Sequence, residues 1–267
     1  MPQSTCKTLR SGPLVTLAAF ASTAAAARTV SIPFNSSNFS NPLRIDNRYF
    51  PLLPGMAWTY EATAPDGCEV DRMQVTSDTR LLDGVTTRAV HDAVYDGDTC
   101  ADAARIEDTI DYYAQDDSGN VWYMGERSLN CDGSKCTLDE GSWLAGEDIF
   151  HVGQAARPGI IMLAQFRSGD SYRQEFYAGH AEDEATVTAL SVRTKLRRAD
   201  AYRRSFSDCI VTKEFSQLEK GSIEFKSYCP NVGNVLTIEH HGKAVRSELT
   251  QFTGPSDALR FRSVRTH

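Results

Sequence analysis

From Ala57 onward the chain reads as short runs in which apolar and polar residues alternate, each closed by a turn. AWTYEAT (57–63), DRMQVTSDT (71–79), TTRAVHDAVY (86–95), DTIDYYAQ (108–115) and NVWYMGE (120–126) are separated by APDG, LLDG, YDGD and DDSG. The second half repeats the style in DSYRQEFYAG, EATVTALSV, FSDCIVTKEF, SIEFKSYC, GNVLTIEHH and VRSELTQF. Period-two alternation between turn signals at this spacing marks meandering antiparallel strands. The expected fold class is mainly β, a curved antiparallel sheet or partly open β-barrel with few short helices. If a helix forms anywhere, it belongs between residues 195 and 206. Two segments echo each other, DYYAQDDSGNVWY (111–123) and KSYCPNVGNVLTI (226–238). Each predicts a long hairpin, with Tyr113 or Tyr228 near its turn.

Residues 1–27 place Lys7 and Arg10 ahead of a short apolar run and a tail of small residues, the pattern of a signal peptide. The destination is then the periplasm or the medium, and no later run offers about 20 apolar residues for a membrane span. Residues 28–56 carry Pro42, Pro51 and Pro54, which oppose helix, and apolar residues such as Ile45 and Leu52. They are expected to form an extended lead-in packed on a single β-rich domain, residues 57–267. Loss of residues 1–27 removes two cations and takes the formal charge from −7 to −9. So acidic a chain disfavours nucleic acid as a partner, and the basic run RTKLRRADAYRR (193–204) carries no nucleic-acid motif.

Six cysteines follow residue 27, and an oxidising compartment favours their pairing. The preferred scheme joins Cys68 to Cys100, Cys131 to Cys136 and Cys209 to Cys229, each tying neighbouring strands or closing a local loop. In CDGSKC (131–136) the Asp-Gly-Ser centre turns the chain back between the two sulfurs. The CxxC spacings of a thiolate zinc site are absent.

The segments IDNRYFPLLPGMAWTYE, DGVTTRAVHDAVYDGD, DYYAQDDSGNVWYMGE, PGIIMLAQFRSGDSYRQEFYAGHAEDEA and DCIVTKEFSQLEKGSIEFKSYCPNVGNV resemble a widespread group of exported, largely uncharacterised bacterial β-rich proteins. The resemblance covers roughly residues 41–240. The C-terminal hairpin is also similar to the curved half-barrels of lipoprotein-carrier-like proteins. That second resemblance implies a concave β surface and transfers no catalytic residue.

No nucleophile elbow, zinc-protease, phosphate-loop or dinucleotide motif occurs. The leading functional reading is binding of a small apolar or aromatic ligand, or an envelope component, on the concave surface. Tyr113, Trp122, Met124, Tyr172, Phe176 and Tyr228 are its candidate wall residues. YRQEFYAGHAEDEATV (172–187) concentrates acids around one histidine. Read as a strand from 181, it puts Glu182 and Glu184 on one side and Asp183 on the other. Glu175, His180, Glu182, Asp183, Glu184 and His240 are the candidate metal ligands, their oxygens suiting Ca2+ and their imidazoles Zn2+. The competing reading is a solvated strand end. A secreted hydrolase acting on glycans or small esters is a further alternative. Asp111, Glu126, Glu175 and Glu224 lie among aromatic residues where paired carboxyls of a glycosidase could stand. A non-catalytic structural or interaction role needs none of these sites.

Overall fold

The computed structural model describes residues 28–64, 67–241 and 243–255, so the expected signal peptide lies outside the described residues. The first half contains β1 (Arg28–Thr29), β2 (Ala57–Ala64), β3 (Gly67–Leu82), β4 (Val85–Gly97), β5 (Ala104–Gln115), β6 (Val121–Asp132), β7 (Lys135–Leu138) and β8 (Trp143–Leu144). The second contains β9 (Arg157–Met162), β10 (Asp170–Arg173), β11 (Glu175–Phe176), β12 (Asp183–Lys195), β13 (Ser205–Ser216), β14 (Ile223–Cys229), β15 (Gly233–His241) and β16 (Lys243–Thr253). Ser36–Asn38 form a single turn of 3-10 helix in the lead-in. The expected mainly β class is what is found.

Two meanders build one sheet. The first runs β2 to β6 and the second β12 to β16, each strand antiparallel to the next, and β16 pairs with β2 to join them. The full order is β1-β10-β12-β13-β14-β15-β16-β2-β3-β4-β5-β6-β9-β11, with β7 and β8 on the side of β6. Both echoing segments form the hairpins anticipated for them, β5 with β6 and β14 with β15.

The sheet does not close into a barrel, but it is rolled. β10 pairs with β12 at one end and β11 pairs with β9 at the other, yet only Gln174 separates β10 from β11. One short stretch of chain therefore holds the two ends of the sheet together. Its close approach needs a glycine across from it. A Cβ on Gly159 would lie 2.3 Å from both the carbonyl carbon and the oxygen of Gln174, and 2.7 Å from the nitrogen of Glu175. Backbone on both sides leaves no side chain to yield. Gly159→Ala is expected to cost about 2 to 3 kcal/mol, read as a lower urea midpoint with an unchanged slope; an unaltered midpoint would mean that the two ends are not held at this point.

The lead-in covers one end of the roll. Ile45, Leu52 and Met56 are buried, and the Phe50 ring meets Tyr113 at 5.4 Å and Tyr228 at 6.0 Å. The Trp58 indole N–H, at the start of β2, donates to the Val232 carbonyl at 2.7 Å. Burying aromatic edges against the turn of the β14–β15 hairpin gives the lead-in a fixed seat.

All three disulfides join the cysteines as the sequence favoured: Cys68–Cys100, Cys131–Cys136 and Cys209–Cys229. They place the protein in an oxidising compartment outside the cytosol. Among the described residues no helix is long and apolar enough to cross a membrane.

The helix expected between residues 195 and 206 is absent. Residues 196–204 are turn and bend between β12 and β13. The backbone N–H groups of Arg197 and Arg198 donate to the buried Glu248 carboxylate at 2.7 and 2.9 Å, and Leu196 N–H donates to the Arg204 carbonyl. These donors are satisfied outside any helical ladder, so the helical propensity of the arginines and alanines is overridden. The sequence reading also missed β1, β7, β8 and β9, three of which have four residues or fewer.

Candidate functional site

The concave face of the roll encloses a cavity of about 380 Å3. Its lining comes from both meanders, because each strand turns every second side chain inward. β3 contributes Glu69, Asp71 and Met73, β5 contributes Asp111 and Tyr113, and β14 contributes Glu224, Lys226 and Tyr228. Gln174 and Glu175 enter from the stretch that links the two ends of the sheet. In all, ten carboxylates line the cavity against one cationic side chain, Lys226. An excess of that size is a strong negative field in a restricted volume, focused by the surrounding protein.

Lys226 neutralises one wall. Glu214 and Glu224 are directly opposite each other across β13 and β14, a like-charge pair that opposes strand pairing. The Lys226 ammonium sits 3.0 Å from Glu214 and 2.8 Å from Glu224. Burial works against that ammonium, but the two carboxylates outweigh it and raise its pKa well above the ordinary value; Lys226 in return holds Glu224 below the usual carboxylate range. Glu214 also accepts from the Thr212 and Tyr228 hydroxyls.

The facing wall has carboxyls and no cation. Burial is the largest cause of the raised pKa of Asp71, Asp92, Asp111, Glu126 and Glu175. Asp71 is pushed up to about 6 and Glu175 to about 8. A hydrogen bond between Asp71 and Asp92 favours the proton on Asp92. The Tyr123 hydroxyl lies 2.6 Å from Asp111 and 2.9 Å from Glu126, and the Trp143 indole N–H donates to Glu175 at 2.7 Å.

Several groups here have hydrogen-bonding capacity that no protein donor uses. Beyond the bond between their two carboxyls, the Oδ1 atoms of Asp71 and Asp92 are buried and accept from no other protein donor. Gln174 is 4% exposed and Tyr113 is 5% exposed, both line the cavity, and among the described residues neither side chain makes a hydrogen bond. Unsatisfied buried polar groups cost free energy unless something else bonds them.

The residues singled out in the sequence are divided among several places. Tyr113 and Tyr228 line the acidic cavity. Trp122, Tyr172 and Phe176 line a second hollow beside residues 29–34, where the Trp122 N–H donates to Asp116 and the Arg157 and Arg173 guanidiniums flank the Phe176 ring. Met124 is fully buried. Of the metal candidates, Glu175 and Asp183 face the acidic cavity, and Glu184 turns the other way to Arg173 at 3.4 Å. Glu182 accepts from the Gly179 N–H. The His180 Nδ1 lies 2.8 Å from the Glu140 carbonyl oxygen and its ring stacks on Phe150 and Tyr177, while exposed His240 meets the edge of Phe225. Glu175, His180 and Asp183 do line one further hollow, together with Glu107, Glu126 and Asp139, whereas Glu182, Glu184 and His240 lie outside it. The one group of three metal-type donor atoms close together among the described residues is Glu61 with Cys68 and Cys100, whose sulfurs are already bonded to each other. That arrangement leaves no thiolate for Zn2+, and among the described residues no six-oxygen cage for Ca2+ is assembled.

All four carboxylates considered for hydrolysis, Asp111, Glu126, Glu175 and Glu224, do share the acidic cavity. Asp71, Asp92, Gln174, Glu214 and Lys226 were not singled out from the sequence, although the i, i+2 spacing of Glu69 and Asp71, and of Glu224 and Lys226, is a signal for one shared face.

No family model matches the chain, and no curated protein matches it. Among solved structures, the crystal structure of a "putative lipoprotein" from Parabacteroides distasonis ATCC 8503 is similar at 12% identity and a TM-score of 0.35, over 78% of this chain and 99% of that one. So remote a likeness carries no argument about fold or function.

Proposed function

We propose that this is a periplasmic or secreted binding protein that takes a small cationic ligand into the acid-lined interior of its rolled sheet. The observation that carries the reading is the ten-to-one excess of carboxylates over cations around a single cavity. Natural cavities of a few hundred Å3 hold small molecules, and convergent polar groups set which ones. The small-ligand expectation from the sequence is thereby kept, with its chemistry changed from apolar to cationic. A ligand that binds the folded state raises the thermal midpoint by mass action. Cationic small molecules should therefore raise it in the purified protein at pH 7.5 and 150 mM salt. Neutral sugars, fatty acids and inorganic phosphate should leave it in place. A shift with the anions or neutral compounds alone would reject the proposal.

A second reading, glycan hydrolysis, has one observation in its favour. The same cavity holds Glu175, which burial keeps protonated up to about pH 8, and Glu224, which Lys226 keeps ionised. An acid and a base set apart in this way are what glycosidic cleavage needs. Release of reducing sugar from envelope glycans, abolished by Glu175→Gln without unfolding, would select that reading over simple binding.

A further inference from the structure

We infer that the ligand of the acidic cavity is a linear organic polyamine, with ammonium groups spaced along a methylene chain, and not a metal ion. This rests on the reading of the interior as a cation site and narrows the class of cation. Three features of the site carry it.

The first is how the carboxylates are spread. A calcium ion gathers six to eight oxygens at roughly 2.3–2.6 Å from one point. Although ten carboxylates line the cavity, no three of them bring one oxygen each within 4.8 Å of one another among the described residues, where the one donor triad is the Glu61–Cys68–Cys100 group elsewhere. Charges distributed over a wall suit a ligand whose own charges are distributed.

The second is the set of groups with acceptor capacity that no protein donor uses. Asp71 and Asp92, on β3 and β4, each offer a buried Oδ1, and Tyr113 on β5 and Gln174 at the seam of the sheet offer a hydroxyl and an amide. Every one of them can accept an N–H. An ammonium carries up to three donors, and a polyamine repeats such groups along its length.

The third is the apolar part of the lining. The Phe50, Tyr60, Tyr113 and Tyr123 rings and Met73 stand among the acids. Methylene segments pack on such surfaces, and ring faces attract the cationic centres between them. A hydrated metal ion uses neither. The tethered Lys226 shows the same pairing in miniature, an ammonium on a methylene stem seated between two carboxylates. Because burial pushes the Glu175 carboxyl up to about 8, an incoming ammonium displaces its proton, so binding heat should depend on the buffer's ionisation enthalpy.

The test is isothermal titration of the purified protein with spermidine, and separately with Ca2+ and Mg2+, at pH 7.5 and 150 mM salt. Spermidine is expected to bind one to one, at least tenfold more tightly than either metal. Asp92→Asn and Gln174→Ala should each weaken it tenfold or more; both replacements remove charge or bulk without adding any, and circular dichroism checks that each variant stays folded. If a metal binds as tightly as spermidine or more so, the polyamine inference fails while the cation reading stands. If neither binds at millimolar concentration, both fail. Spermidine binding that survives both substitutions would be adsorption to an acidic surface, and it too overturns the inference.

Discussion

Lys226→Met is expected to destabilise the protein by about 3 kcal/mol at pH 7, a fall of roughly 6 to 12 °C in thermal midpoint for a domain of this size. The size follows from what the ammonium leaves behind. Glu214 and Glu224 face each other across adjacent strands, and Glu239 is paired with Glu224 on the other side. Without Lys226 this row of like charges has no counter-charge in the cavity lining. Removing one partner of a buried pair leaves the other charge uncompensated, which is the costly case. The Lys226 side chain keeps 28% exposure, which holds the figure at the lower end for such pairs. Lys226→Arg keeps the charge and should recover most of the loss. The deficit should also shrink at pH 5, where the stranded carboxyls take up protons. A Lys226→Met variant as stable as the parent at pH 7 would mean that the row of glutamates is relieved in some other way.

The second large effect is on pH. A carboxyl with a raised folded-state pKa holds its proton longer folded than unfolded, so the folded state binds more protons and stability falls as pH rises. Its stabilising contribution is complete below the unfolded value of about 4 and is lost by the time pH reaches the folded value. For Asp71 that loss runs from about 4 to about 6 and for Glu175 from about 4 to about 8. Asp71 alone accounts for about 3 kcal/mol at 1.36 kcal/mol per pKa unit. Glu224, held low by Lys226, acts in the opposite sense and its contribution disappears as pH drops below about 4. The protein should therefore be most stable near about pH 5 and lose stability steadily to pH 8. Thermal midpoints across that range give the profile. Saturating spermidine should flatten it, because the ligand supplies the counter-charge that protons supply at low pH. A profile that is flat or rising from pH 5 to 8 would show that the cavity acids are ionised and compensated.

The strands were legible because alternation and turn residues act locally. β2, β4, β5 and β13 begin and end within a few residues of the runs read from the sequence, and CDGSKC makes the hairpin that its Asp-Gly turn demands. Of the strands that escaped notice, β1 and β8 are two-residue pairings imposed by neighbours and carry no pattern of their own, while β7 and β9 are short segments of four and six residues. The site was harder to read for a different reason. Alternation divides a strand into two faces but does not say which one the sheet curls around. Asp71 and Lys226 alternate with Val70 and Phe225, and the usual assumption sends the charged set outward. Here the acidic set faces the interior of the roll, while Val70 is buried on the opposite face. Glu175 and Asp183 were singled out for metal binding because they stand near His180 in the chain. In space they belong with Asp111, Glu126 and Glu214, drawn from strands up to about seventy residues away.

The most direct test of a cation held in the acid-lined interior is native mass spectrometry of the protein recovered from its own source, then saturated with a mixture of polyamines at neutral pH. Comparison with the denatured mass also counts the three disulfides. The expected result is a native-only mass excess matching one small organic cation, lost on acidification to pH 4 as protons replace it. No retained cation after saturation, or an excess that belongs to a neutral sugar, a lipid or an anion, would contradict it.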